Sequence, residues 1–218
     1  MKNTVLKGIM FIASFAVIIG FASCEDNIVA DIEVTTTSQD ETNLSEANEL
    51  ATDSINDDAK NSLIFMREEE KLAHDVYVYM FDLWGLNTFN NISKSETAHT
   101  NAVKGLLDYY GIEDPALPQD GSFVNADLQQ LYNTLIDMGD SSLIAGLMVG
   151  ATIEEVDIVD LDNAMESCEL DTIVVVYNRL RTGSTYHLKA FVSQLATNGI
   201  AYSPQYLSQE EFDAIINN

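Results

Sequence analysis

Carboxylate side chains lie inside apolar helical stripes of this sequence, and this combination constrains the fold more than any other feature. In the first long apolar segment, Leu72, Val76 and Met80 recur at the spacing of a buried helix face. Glu69 and Glu70 fall within the same arc. Because a buried carboxylate without a partner is costly, these acids require partners inside the protein. The sequence therefore predicts helices that pack around a polar centre as well as an apolar core.

The run Glu68–Glu70 divides between solvent and interior on a helical wheel. Glu68 falls on the polar side and is expected to face water, whereas Glu69 lies nearest the centre of the apolar arc. Glu70 is also inside the arc but farther from its centre. His74, four residues beyond Glu70, falls near the polar edge and is expected at the surface or beside the buried acids.

Apolar residues recur with a helical period through the rest of the folded part as well, so the fold class is predicted to be all-α. Residues 173–177 have strand-like propensity, but the helical period continues from Ile173 to Leu195, much farther than a typical strand extends. Glycines end several of the predicted helices. These helices span residues 57–84, about 93–110, 125–138, 141–161 and 169–198, with a capped terminal helix from residue 208.

The second predicted helix carries Glu96 and His99 on one face, three residues apart. Ser93-x-x-Glu96 also has the spacing of a capping box, which is the alternative interpretation of this glutamate. A capping box does not account for His99 one turn further along the same face. The helix is therefore predicted to begin before Ser93, with Glu96 facing the core.

Acids and a histidine also lie within the stripes of the last two long helices. Glu154 interrupts an apolar row, and Asp157 follows three residues later. Glu155 lies toward the edge of the row and is expected to be solvated. His187 continues the stripe of the next helix, in which Gly183 is a candidate breaking point. Charged or ligating side chains are thus predicted inside all four long helices.

A metal is the predicted partner of these acids. The chain has 10 Lys and Arg residues against 35 Asp and Glu residues, too few to pair the buried acids. Two-metal helix bundles take one Glu from each of two helices and a Glu-x-x-His from each of the other two, and Glu96-Thr97-Ala98-His99 is such a motif. With 2 cysteines no thiolate-rich site can form. Oxygen and imidazole ligands favour divalent iron, with manganese or zinc as alternatives.

The amino-terminal segment has the pattern of a bacterial export signal followed by a linker. Lysines precede an apolar block over residues 9–21, which is shorter than the about 20 residues that span a bilayer. Phe21-Ala22-Ser23-Cys24 resembles a lipobox, with Phe where leucine is usual, and predicts a lipid on Cys24; plain secretion with a free cysteine is the alternative. The predicted divisions are a signal peptide (1–23), a disordered acidic tether (24–57) and a folded domain (58–218).

The formal charge of −25 disfavours nucleic acid as a partner, because phosphates would be repelled. The expected partners are metal ions, a membrane through the lipid on Cys24 and, although no motif requires it, a second copy of the chain in a homodimer. The expected location is the cell envelope, as an exported and lipid-anchored protein.

Four blocks between about residues 60 and 198 carry a family resemblance: MREEEKLA-x-DVY, SE-x-x-H, GATIEE-x-DI-x-DL and GS-x-x-HL. Together they resemble an uncharacterised branch of the ferritin-like superfamily, a domain of unknown function. The resemblance implies a left-handed four-helix bundle with a long crossover and a rubrerythrin-like site for two metals. The short helix and the terminal helix are additions to this bundle. The ligands implied by the resemblance are Glu70, Glu96, His99, Glu154, Asp157 and His187.

Ser184 departs from the resemblance, because the last bundle helix of rubrerythrin-like proteins carries Glu-x-x-His and this chain has Ser184-x-x-His187. Asp157 is the candidate replacement for the missing carboxylate, and the remaining set is compatible with one metal or two. For the first helix, the wheel favours Glu69 and the resemblance favours Glu70.

The expected function is an exported metal-binding protein with a di-iron or di-manganese site and oxidase- or peroxidase-type redox activity. Tyr77 and Tyr186 are expected near the ligands. The alternative is a non-catalytic binding or metal-capture module of the cell envelope with a degenerate site. Ser184 favours the alternative, and the set of six ligands favours the redox protein.

Overall fold

The computed structural model describes residues 55–217, and all regular secondary structure in this part of the chain is α-helical. None of these helices is both long enough and apolar enough to cross a membrane. The predicted signal peptide, Cys24 and nearly all of the predicted tether lie outside the described residues. The helices are α1 (Asp57–Trp84), α2 (Asn87–Tyr109), α3 (Ala126–Gly139), α4 (Leu143–Glu166), α5 (Asp171–Thr197) and α6 (Gln209–Ile216).

Helix α1 has a defined cap at each end. Asn56 is the N-cap, and its side chain accepts a hydrogen bond from the Ala59 N–H at 2.8 Å. Gly85 ends the helix in the left-handed conformation, at φ 66°, which a residue with a side chain rarely adopts. The predicted stop at Gly85 and the predicted start at residue 57 are both confirmed.

Helix α2 begins at Asn87, well before Ser93. The Ser93 hydroxyl donates to the Asn90 carbonyl within the helix, at 3.1 Å, so it does not cap a helix start. The capping-box interpretation of Ser93-x-x-Glu96 is therefore wrong, and Glu96 lies in the helix interior, buried.

The later helices follow the predicted period. Residues 173–177 are helical, and α5 continues unbroken through Gly183, so the strand-like propensity of this stretch does not decide its structure. Helix α6 begins at a capping box in which the side chains of Ser208 and Glu211 each accept from the other's backbone N–H.

The four long helices pack side by side in the cyclic order α1, α2, α5, α4, and the short α3 packs against α1 and α4. One apolar cluster joins the amino-terminal ends of α1 and α5 to the carboxyl-terminal ends of α2 and α4. A larger cluster joins the four opposite ends and includes α3. The connection from α2 to α4 therefore runs the length of the molecule, and a layer of polar residues separates the two clusters.

Glu68 and Glu155, both expected to be solvated, are buried instead, with 2% and 0% of their surfaces exposed. Glu68 accepts from the backbone N–H groups of Val124 and Asn125, at 2.6 and 3.1 Å. It thereby fixes the connection between α2 and α4 to α1. The expectation for Glu68 is wrong because its partners lie on a segment that passes over the outer side of α1.

Glu155 holds the carboxyl-terminal segment against α4. One of its oxygens accepts from the Tyr202 hydroxyl at 2.6 Å, and the other accepts from three consecutive backbone N–H groups. A carboxylate with four donors is fully satisfied without a cation. The donors are Tyr202 Oη, Gln205 N, Tyr206 N and Leu207 N.

Candidate metal centre

The polar layer between the two apolar clusters is built from all four long helices. Because i and i+3 side chains on a helix project together, each of α2, α4 and α5 contributes a pair, and α1 contributes one residue. All members are buried. They are Glu70 on α1, Glu96 and His99 on α2, Glu154 and Asp157 on α4, and Ser184 and His187 on α5.

Glu96 occupies the centre of the polar layer, between the two histidines. Its Oε2 lies 2.9 Å from His99 Nδ1, and its Oε1 lies 2.8 Å from His187 Nδ1. The two imidazole rings stack with their centroids 5.3 Å apart. Within residues 55–217 these three side chains form the only set of three ligand atoms that all lie within 4.8 Å of one another.

Each histidine also approaches a second glutamate. His99 Nδ1 lies 3.3 Å from Glu70 Oε2, and His187 Nδ1 lies 3.4 Å from Glu154 Oε2. The layer therefore has two half-sites on either side of Glu96: an α1–α2 half with Glu70 and His99, and an α4–α5 half with Glu154 and His187.

Tyr77 and Ser184 hold carboxylates of the α4–α5 half. The Tyr77 hydroxyl donates to Glu154 Oε1 at 2.5 Å. The Ser184 hydroxyl donates to Asp157 Oδ2, which joins the α4 carboxylate to the α5 position three residues before His187. Tyr77 thus lies beside Glu154, one of the predicted ligands, as the sequence led us to expect.

The exposure of the Tyr186 and His74 side chains bears on two further predictions. The prediction that Tyr186 lies near the predicted ligands is wrong, because its side chain is 64% exposed and lines a surface cleft together with α6. The reason is its helical position: residue 186 lies one step from His187 and points about 100° away around the helix. His74 is partly exposed, as expected, and contacts Asp75 at 3.0 Å instead of Glu70.

Glu69 and Glu70 face different neighbours. Glu70 faces α2 and His99, whereas the Glu69 carboxyl donates a hydrogen bond to Asp160 on α4. The structure therefore places Glu70 in the polar layer and Glu69 beside it. Asp160 was not predicted as a functional residue, although its spacing signals it: Glu154, Asp157 and Asp160 recur every third residue.

Several buried atoms of the polar layer have no hydrogen-bond partner. Buried polar atoms are almost always paired, so a cluster of unpaired ones indicates a missing ion or water. Glu96 Oε1 and His187 Nδ1 are among them, since their 2.8 Å approach lacks hydrogen-bond geometry. Carboxylates and imidazoles are suitable ligands for iron, manganese or zinc, so the residues present fit a divalent metal. The unpaired atoms in the layer are Glu70 Oε1, Glu96 Oε1, Asp157 Oδ1 and His187 Nδ1.

In the metal-free protein, protons balance the charge of the layer. Burial raises the pKa of Glu70 to about 7, and it raises the pKa of Asp157 well above its usual range. Burial alone would lower the histidine pKa values, but the facing carboxylates outweigh it and raise that of His99 to about 11 and that of His187 to about 10. Burial likewise opposes ionisation of Glu96, but both histidines outweigh it and lower its pKa to about 2.

Gly183 provides the space for His99. A Cβ atom at this position would lie 2.5 Å from His99 Nε2, which is too close for any substitution without movement of the ring. The absence of a side chain lets the imidazole lie against the backbone of α5, with Nδ1 facing the carboxylates. The residue that was a candidate breaking point of α5 therefore has a packing role instead.

The fold and the site together define an all-helical protein with a buried carboxylate and histidine layer. The profile of the family described as "Uncharacterized protein domain (DUF2202)" matches residues 59–218, and the chain belongs to this family. The chain is 44% identical over 165 residues to the uncharacterized protein MJ0754 of Methanocaldococcus jannaschii, covering 75% of this chain and 89% of that protein.

A crystal structure of the hypothetical protein MJ0754 from Methanococcus jannaschii DSM 2661 is also similar to the structure described here. The TM-score is 0.74 at 44% sequence identity, and the similarity covers 75% of this chain and 94% of that chain. The helical architecture of residues 55–217 is thus shared with an experimentally determined structure.

Proposed function

We propose that the folded domain is a ferritin-like four-helix bundle that binds two divalent metal ions in the polar layer, with iron as the preferred metal. The observation that carries the proposal is the central position of Glu96, with one oxygen beside each histidine. A carboxylate that faces two imidazoles in this way is suited to bridge two ions. The long connection from α2 to α4 also agrees with the crossover of ferritin-like bundles.

The proposed ligands fall into the two half-sites. Glu70 and His99 would hold one ion, Glu154 and His187 the other, with Glu96 and Asp157 between them. When bound, a pair of iron ions supplies the electrons with which dioxygen or peroxide is reduced. Manganese or zinc would use the same ligands, since neither requires a thiolate.

The chain's own residues orient the ligands and exclude water. Tyr77 and Ser184 each donate to a carboxylate of the α4–α5 half, and such partners fix ligand orientation. Gly183 gives His99 its position. The apolar clusters above and below the layer keep bulk water away, which strengthens the electrostatic interactions of the ligands.

The second candidate function is metal capture without turnover. Ser184 favours it, because the α5 position that carries a carboxylate in rubrerythrin-like proteins has only a hydroxyl group here. Under this proposal the domain binds metal with the same ligands but does not consume dioxygen or peroxide.

Metal analysis of protein purified without chelator tests the proposal. The expected result is about two ions of iron, or of manganese or zinc, per chain after loading, measured by elemental analysis and by anaerobic titration. Protein that remains metal-free after loading would refute the site. Loaded iron protein that consumes neither peroxide nor dioxygen above the rate of free iron would leave the capture function and refute the redox function.

We propose further that the protein is exported and carries a lipid on Cys24, which places the domain in the cell envelope. The lysines, the apolar block and the Ala22-Ser23-Cys24 sequence support this proposal. The family match begins at residue 59, after the proposed tether. Expression of the full chain in a bacterium, with and without Cys24→Ser, provides the test: the wild type should fractionate with membranes and gain the mass of its acyl chains, and the variant should do neither.

A further inference from the structure

Glu69 and Asp160 form a carboxyl pair outside the proposed ligand set. Glu69 is 6% exposed, whereas Asp160 is partly exposed at the seam between α1 and α4. A hydrogen bond joins the two side chains. The pair therefore extends from the surface toward the interior, and neither of its residues belongs to the polar layer.

The pair continues into the polar layer through Asp157. Asp157 precedes Asp160 by three residues on α4, a rise of about 4.5 Å along the helix. It lies near enough to Glu69 for direct electrostatic repulsion. Asp160 is the partly exposed member of this row, and Glu69 and Asp157 are each 6% exposed.

Two oxygens of this row have no hydrogen-bond partner. They are Glu69 Oε2 and Asp157 Oδ1, both on side chains more than nine-tenths buried. Because buried carboxylate oxygens are normally paired, these two are open to a further partner, and a cation is one that suits them. The row has no three ligand atoms within 4.8 Å of one another, so it does not form a closed site that would retain an ion.

We propose that Glu69 and Asp160 form an entry path by which a divalent cation passes between α1 and α4 to reach the polar layer. The inference rests on the proposed metal-binding function. A hydrated cation exchanges water for carboxylate oxygens readily, and successive acids along a seam raise its local concentration.

Stopped-flow uptake of Co²⁺ into the metal-free full-length protein tests the path. The variants are Glu69→Gln and Asp160→Asn, which keep the shape and a hydrogen-bonding group at each position. Asp82→Asn is the matched control, since it removes the same charge from an exposed position of α1, about 20 Å along the helix. Release into excess chelator and bound Co²⁺ at equilibrium are measured for the same four proteins.

Each path variant is expected to slow uptake about tenfold, in the range of electrostatic effects on association rates. Release should slow by the same factor, because a path acts in both directions and leaves the equilibrium unchanged. Stoichiometry and the final absorption spectrum should match those of the wild type, and Asp82→Asn should take up Co²⁺ at the wild-type rate.

Three results would overturn the inference, and they differ from failure of the proposed function. Uptake at the wild-type rate by both path variants would exclude the path. A loss of Co²⁺ at equilibrium would make these residues ligands instead. Equal slowing by Asp82→Asn would show a general charge effect. Failure of the wild type itself to bind Co²⁺ would refute the metal-binding function. Should Glu69→Gln fold poorly by circular dichroism, the partly exposed Asp160→Asn decides.

Discussion

The two half-sites of the polar layer contain the same kinds of side chain but draw them from the helices differently. In the α1–α2 half, the Glu-x-x-His motif of α2 provides Glu96 and His99 from one helix. In the α4–α5 half, the corresponding position on α5 is Ser184, and its hydroxyl donates to Asp157 from α4. The carboxylate beside this α5 position is therefore carried by α4, the neighbouring helix, within the same layer.

This difference indicates that the position of a carboxylate within the layer is more constrained than the helix that carries it. A sequence motif detects the α1–α2 half directly, because its residues are three apart. It detects the α4–α5 half only in part, since Asp157 and Ser184 are 27 residues apart. The half-sites are therefore expected to respond differently to substitution.

The largest expected effect is that of Glu96, which belongs to both halves. Glu96→Gln should weaken binding of both ions by at least about 100-fold, more than the loss of an orienting partner costs. Glu70→Gln should weaken only the ion of the α1–α2 half. Anaerobic titration with Fe²⁺ measures the stoichiometry, and equal loss from both variants would contradict the division into halves.

The protons released when metal binds report on the histidine of each half-site. His99 and His187 have pKa values raised to about 11 and about 10, so both are charged in the metal-free protein near pH 8. Ligation requires neutral imidazole, so each ion displaces at least one histidine proton. Affinity in each half should therefore rise about tenfold per pH unit between about pH 7, above which Glu70 is ionised, and pH 10.

Calorimetric titration with Zn²⁺ at pH 8, in buffers of different ionisation enthalpy, measures the released protons. About two or more protons are expected for two ions, at least one from each half. A value near zero would show that the histidines are neutral before the metal binds.

The third prediction concerns Asp157, the carboxylate that contacts Ser184. Asp157→Ser should weaken the ion of the α4–α5 half about 10- to 100-fold. Adding Ser184→Glu to this variant restores Glu-x-x-His on α5 and should recover the binding. Ser184→Glu alone adds an acid beside Asp157 and should lower the melting temperature of the metal-free protein. If the double variant binds no better than Asp157→Ser, the two positions are not equivalent.

Gly183→Ala tests how the α1–α2 half depends on α5. The added methyl group would overlap His99, and overpacking of this kind costs about 1–3 kcal/mol. The expected result is a lower melting temperature and weaker binding of the ion that His99 holds. Gly105→Ala is the control, because nothing lies within 4 Å of its Cβ position, and it should leave binding unchanged and stability equal or higher.

Tyr77→Phe is expected to have the smallest effect, confined to the α4–α5 half. It removes the hydroxyl that donates to Glu154 and should cost about 1 kcal/mol in stability or about fivefold in affinity. Tyr79→Phe removes a hydroxyl that donates to Asp140 at the surface, at 3.3 Å, and should change neither. Thermal melts and Fe²⁺ titrations of both variants measure the difference.

The helices and the inward face of each were predictable from the sequence, because both depend on local spacing. The period of 3.6 residues extends α5 through a strand-like stretch. The i, i+3 rule places Glu96 beside His99 and Glu154 beside Asp157 on their helices. The end of α1 at Gly85 was also predictable, because glycine adopts the left-handed conformation that ends a helix more easily than other residues do.

The buried acids outside the layer could not be predicted in this way. A helical wheel assigns each helix one buried face, whereas α1 and α4 are also covered by loops. Glu68 is buried by the connection at Val124 and Asn125, and Glu155 by the carboxyl-terminal segment. Their donors, backbone N–H groups and the Tyr202 hydroxyl, lie more than 45 positions away, which no local pattern reveals.

The position of the Glu155 donors has a consequence for the order in which the chain can fold. During synthesis α4 and α5 emerge before residues 202–207, and until then the Glu155 carboxylate lacks the four donors that compensate its burial. Since this segment is also what covers Glu155, the carboxylate stays in water until residues 202–207 dock. Docking of residues 202–207 onto α4 is therefore expected to be a late step of folding, in which Glu155 exchanges water for these donors.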